Sequence, residues 1–115
     1  VTKAVGAFLI FLSILLGALS AHAFRLEDAE LKIFDKALLY QFMHGVALLS
    51  LTTHPRLAVS IIFGVVLFCG GLYARAIIGP GNISALAPIG GGLLMVSWLG
   101  LAASILYKGS RSYEQ

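Results

Sequence analysis

The sequence predicts an all-α polytopic membrane protein, an antiparallel bundle of four transmembrane helices. Three observations carry this. Apolar residues make up 59% of the 115 positions and charged residues only 11%, where a soluble domain carries roughly 25% charge. The apolar residues fall in four long runs, and the charges cluster between those runs. Hydrocarbon asks for no polar coat, so lipid-facing surface accounts for the missing polar residues, which a small soluble helical bundle does not.

The first run, AVGAFLIFLSILLGALSAHAF, follows Lys3. A basic start, an apolar centre and a small-x-small end at Ala21–His22–Ala23 make a cleaved secretory signal the rival reading. From Ala4 to Phe24 there are 21 residues, close to the roughly 20 that cross a bilayer core. The segment is therefore expected to remain as a first transmembrane helix, about residues 4–23.

RLEDAELKIFDK comes next and holds seven charges. Asp28 is the expected N-cap of the following helix, since acids suit that end. The second span is placed at about residues 37–54, with Lys32 and Lys36 snorkelling at its entrance. His54–Pro55–Arg56 makes a short turn, and proline suits a first helical position. The third span covers about 57–78, ending beside Arg75, and Gly79–Pro80–Gly81–Asn82 breaks the chain. Residues 83–87 read as a loop or short interfacial turn, and the fourth span as about 88–107. Trp98 lies mid-span, which points to packing, and Tyr107 suits the interface. Residues 1–115 thus form a single membrane domain.

Short connections make neighbouring helices antiparallel and put both ends of the chain on one side. Lys3, Arg56, Lys108 and Arg111 share that side, and Arg25, Lys32, Lys36 and Arg75 share the other. The count of basic residues is balanced. Glu27, Asp28, Glu30 and Asp35 offset the second set, while only Glu114 offsets the first. Acids weigh little in the positive-inside rule; the residual asymmetry favours cytoplasmic termini.

Helices in lipid associate through close backbone approach and shared polar contacts. Small residues recur at helical spacing: Ser13, Gly17 and Ala21; Ser60, Gly64 and Gly71; Gly92, Gly100 and Ser104. Most are expected to serve internal packing and the rest an interface with another subunit or another copy. Polar residues within the spans are the candidate site. Tyr40, Gln41 and His44 lie within two turns of one another and are expected to form a polar seam facing His22 or the glycines of helix four. Two readings compete. One is interhelical hydrogen bonding that fixes register. The other is a functional site: a proton relay, a quinone contact or a metal.

Zinc needs three or four protein ligands. Three histidines and one cysteine, spread over both sides, do not supply them, and no HExxH or CxxC occurs. A pair of histidines can hold a haem as axial ligands, which keeps a haem subunit among the alternatives. No base is placed to activate a serine, and GPGN is not a phosphate loop. Eight scattered basic residues with no aromatic interleaving exclude a nucleic-acid footprint.

Four segments in order resemble a family of small membrane proteins. GALSAHAF (17–24) is similar to its Gly-Ala-x-x-Ala-His end of helix one, and YQFMHGVALL (40–49) to its Tyr-Gln-x-x-His segment. FCGGLYA (68–74) is similar to its Phe-Ser-Gly-x-Leu-Tyr stretch, and APIGGGLLMVSWLGLA (87–102) to its Thr-Pro-x-Gly-Gly start of helix four with a later Gly-Trp. Ser20, Cys69, Ala87 and Ser97 depart from the family's usual residues. The resemblance is to the family of domain of unknown function 423. It implies a four-helix protein of bacterial membranes, and marks His22, Tyr40, Gln41, His44, Gly90, Gly91 and Trp98 as shared motif positions. It implies a bacterial inner-membrane location and a tie to membrane integrity or an accessory role in a larger complex, and it defines no molecular activity. The expectation is a structural or accessory membrane protein, not an enzyme, with no cofactor, partnered by lipid and by other membrane subunits or its own copies. The alternatives are a small carrier or channel and a quinone- or haem-contacting subunit.

Overall fold

The computed structural model describes residues 1–51 and 53–114, with side chains through Gly109. The side chains of Arg111 and Glu114, counted in the charge balance above, and Thr52, within the second expected span, lie outside the described residues. Four α-helices follow one another: α1 Thr2–His22, α2 Asp28–Leu48, α3 Pro55–Ile77 and α4 Leu86–Glu114.

Local chemistry sets the helix ends. Asp28 and Glu30 occupy the first turn of α2, where they favour the positive end of the helix dipole. Glu27, not Asp28, is the capping residue, and no side chain bonds across that cap. The backbone of Glu27 is already extended there, so Asp28 enters as the first helical residue. Pro55 opens α3, where a missing N–H costs nothing. After α3, Gly79 adopts φ +108°, a conformation open to glycine and strained for other residues. The turn that follows is pinned by Ser84, whose hydroxyl donates to the Gly81 carbonyl at 2.8 Å and accepts the Gly81 N–H at 2.9 Å. α4 begins two residues before Pro88, so the expected loop closes about half a turn early.

Extended packing joins α1 to α2, α2 to α3 and α3 to α4. The core therefore lies along α2 and α3. On α2 the buried positions are Phe34, Ala37, Gln41, His44, Gly45 and Leu48, the three-and-four spacing of one helix face. On α4 they are Ala87, Gly90, Leu94 and Ser97. α1 contributes only Gly6 and Ser13.

The distribution of polarity is inverted relative to a water-soluble protein. Phe8, Phe11, Phe63, Val66, Met95 and Leu99 are all more than half exposed, while Ser13, Gln41, His44 and Ser97 are buried. An apolar exterior this extensive marks a surface made for something other than water. α1, α3 and α4 through Gly109 are each long and apolar enough to cross a membrane. α2 differs because its first turns hold Asp28, Glu30, Lys32, Asp35 and Lys36. Its uncharged part, Ala37–Leu48, rises only about 18 Å.

Three close backbone approaches fix the bundle. A Cβ at Gly6 would lie 2.6 Å from the Gly45 carbonyl oxygen, and one at Gly45 would lie 2.9 Å from the Gly6 carbonyl oxygen. A Cβ at Gly71 would lie 2.6 Å from the Ala87 nitrogen. A Cβ at Gly90 would lie 2.2 Å from the Phe68 nitrogen and 2.8 Å from the Gly64 carbonyl oxygen. Gly64 itself faces Leu94. Gly17 and Gly100, also expected at packing positions, are not at close approaches. Gly17 has only the Leu38 side chain at 3.7 Å, and nothing lies within 4 Å of a Cβ at Gly100. The contacting stripe of α4 runs through positions 87, 90, 94 and 97, and Gly100 is rotated by about 100° from its continuation at Leu101.

Candidate functional site

Two polar clusters stand where one seam was expected, because Gln41 and His44 point to different neighbours. Gln41 ties three helices together. Its Nε2 donates to the Leu9 carbonyl of α1 at 3.0 Å, and its Oε1 accepts the Tyr73 hydroxyl of α3 at 2.5 Å. The same Leu9 carbonyl accepts the Ser13 hydroxyl at 2.9 Å. Cys69 adds a weak contact from α3 to the Ala37 carbonyl of α2 at 3.4 Å.

His44 looks toward α4. Its Nδ1 lies 2.7 Å from the Tyr40 carbonyl oxygen, and the indole Nε1 of Trp98 lies 2.9 Å from its Nε2. An indole N–H only donates, and a carbonyl only accepts. The imidazole must then carry its proton on Nδ1 and accept at Nε2, which assigns a single neutral tautomer. Both ring nitrogens are committed. The rings of Tyr40 and His44 are stacked with centroids 6.3 Å apart, and Tyr40 meets Phe68 edge to face at 5.1 Å. Lower on the α3–α4 contact, the hydroxyls of Ser60 and Ser97 bond to each other, and Ser97 also donates to the Leu93 carbonyl at 2.7 Å.

His22 does not join either cluster. It is exposed at the end of α1. The antiparallel register, with Gly6 against Gly45 and Gly17 against Leu38, sets it beside the first turns of α2, roughly 20 Å of helical rise from His44. Tyr73 and Ser13 were not singled out as site residues. The available signal was a second polar side chain on α3, one turn after Cys69, able to meet Gln41.

A groove of about 640 Å³ opens between α2 and α4. Its walls are Tyr40, Met43 and His44 on one side and Gly91, Leu94, Met95 and Trp98 on the other, with Phe68 of α3 as its floor. Gly91 leaves the floor accessible, since a Cβ there would touch the Phe68 ring at 3.3 Å. Among the described residues, no group of three or more His, Cys, Asp or Glu is placed to hold a metal ion.

Fold and site together define a small multi-pass α-helical membrane protein whose interior polar groups bond between helices. The chain belongs to the family described as Protein of unknown function (DUF423), which matches residues 16–91. A UPF0382 membrane protein of Staphylococcus epidermidis is 33% identical over 111 residues, 88% of this chain and 91% of its own. A UPF0382 membrane protein of Haemophilus influenzae is 35% identical over 102 residues, 80% of this chain and 82% of its own. One of Staphylococcus saprophyticus is 35% identical over 104 residues, 82% of this chain and 87% of its own. No solved structure matches the chain significantly.

Proposed function

We propose that this protein is a structural or accessory membrane subunit that stabilises a larger membrane assembly or an assembly of its own copies. The observation that carries this reading is the use made of the buried polar groups. Gln41 is bonded at both ends of its amide and His44 at both ring nitrogens. Ser60 and Ser97 are bonded to each other. Buried polar groups in lipid need partners, and here each of these side chains has at least one partner on another helix. A haem or a proton relay at His44 would each require it to release Trp98 or the Tyr40 carbonyl. That weighs against the haem-subunit and proton-carrier alternatives and against enzymatic use of these residues. Extraction into mild detergent or nanodiscs followed by native mass spectrometry tests the proposal. The expected result is a defined complex, with a partner or with itself. A monomer that remains alone across mild extraction conditions would sink it.

We further propose that α2 crosses the membrane with the other three. Gly6 packs on Gly45, Leu9 bonds to Gln41 and Gly17 faces Leu38, so α2 runs antiparallel along the length of α1. Its exposed Leu39, Phe42 and Val46 suit lipid, and Lys32 and Lys36 can reach headgroups at its charged end. Both termini then lie on one side, and we propose that this side is the cytoplasm of a bacterial inner membrane, a reading that the residual charge asymmetry favours. In a Cys69→Ser background, a Glu27→Cys variant in whole cells should react with a membrane-impermeant maleimide added outside. Labelling only after the cells are opened would reverse the orientation.

A further inference from the structure

The groove between α2 and α4 is not explained by helix packing, because it is a site the bundle leaves unfilled. Two features specify what would fill it. The first is ring content. Tyr40, His44, Phe68 and Trp98 border it, with the thioethers of Met43 and Met95 beside them. Faces and edges of rings favour another flat ring over a saturated chain, and methionine sulfur is attracted to aromatic rings. The second is Tyr40. Its ring is held against Phe68 and His44, yet among the described residues no hydrogen bond reaches its hydroxyl. Tyr40 is 36% exposed in the groove wall, so its hydroxyl can donate to an occupant, and the fitting ligand carries an acceptor on its ring.

Position adds the solubility of the ligand. Tyr40 lies one helical turn past the exposed Lys36, about 6 Å below the charged entrance of α2. From there the groove continues past Met43 toward Met95 and Trp98, deeper along both helices. It opens sideways between apolar helices, so its occupant arrives from the membrane. At about 640 Å³ it has room for a ring and the start of a tail, well inside the range of small-molecule sites.

We infer that the groove binds a prenylated quinone, with a ring carbonyl accepting the Tyr40 hydroxyl and the tail lying along Met95 and Trp98. The protein binds the quinone as a ligand, and no electron transfer is assigned to it. This goes beyond the accessory role and does not depend on it.

Trp98 is the single tryptophan of the chain and is 37% exposed in the groove wall, so its fluorescence reports occupancy. The full chain in detergent micelles is titrated with decyl-ubiquinone, which quenches indole emission. Saturable quenching is expected, and Tyr40→Phe should weaken the apparent affinity roughly five- to tenfold, the loss of one hydrogen bond. Phe preserves the ring contacts, so the fold is retained. Quenching that rises linearly without saturation would overturn the inference. So would saturable quenching of equal affinity in Tyr40→Phe.

Discussion

Gly90→Ala is expected to lower the unfolding free energy of the purified protein by about 3 kcal/mol, the upper part of the range for overpacked interiors. The added methyl would sit 2.2 Å from the Phe68 nitrogen and 2.8 Å from both the Gly64 carbonyl oxygen and the Leu67 carbonyl carbon. All three are backbone atoms. No rotamer change relieves them, so α3 and α4 must separate. The opposing term is helix propensity, which favours alanine over glycine by at most about 1 kcal/mol. The clash wins. Gly100→Ala isolates the smaller term, because nothing lies within 4 Å of its Cβ, and it should be neutral or slightly stabilising. Denaturant titration in detergent, followed by circular dichroism, compares the two. Equal stabilities would mean that α3 and α4 do not approach as described.

Gln41→Leu is expected to cost about 2 kcal/mol. The change keeps volume and removes two interhelical bonds. Hydrogen bonds between membrane helices average only about 0.6 kcal/mol, so two of them alone would give little more than 1. The rest comes from the group left behind. The Leu9 carbonyl keeps Ser13, but the Tyr73 hydroxyl has no other acceptor among the described residues, and a partly buried orphan costs the low end of the about 1–3 kcal/mol of a buried one. The double variant Gln41→Leu/Tyr73→Phe tests this apportioning. Removing both partners leaves nothing unpaired on α3, so it should be more stable than the sum of the single losses predicts, by about 1 kcal/mol. Strict additivity would show that the two side chains are not coupled.

Much of the fold is written in features of the chain that act locally. The apolar runs, the acids opening α2, Pro55 at the head of α3 and the breakers at 79–82 each act within a turn or two, and helices stand close to where they point. Which face of each helix meets which neighbour is not local. Gly6 and Gly45 carry the closest approach of α1 to α2, yet each is one glycine among thirteen. The buried pair on α1, Gly6 and Ser13, is spaced by seven residues, and a row of small residues spaced by four, Ser13, Gly17 and Ala21, drifts away from that face.

The candidate site was legible to the same degree. Sequence spacing brought Tyr40, Gln41 and His44 into one neighbourhood. It did not show that Gln41 turns to α1 and α3 while His44 turns to α4, because one residue of offset rotates a side chain by about 100°. His22 illustrates the complementary gap. Its side of the membrane follows from helix order, but its depth follows from the register of α1 on α2, which the Gly6–Gly45 contact decides.

The order of contacts along the chain also bears on how the molecule is made. Each helix packs extensively only on the one before it and the one after it. As segments leave the insertion machinery one at a time, every newcomer finds its partner already waiting beside it. No early segment must be kept apart for a late arrival, and pairings between distant parts of the chain, which slow assembly, are nearly absent. The bond from Trp98 to His44 reaches past a helix. It closes when the last segment settles, and it fixes α4 against α2 only after α3 has joined them.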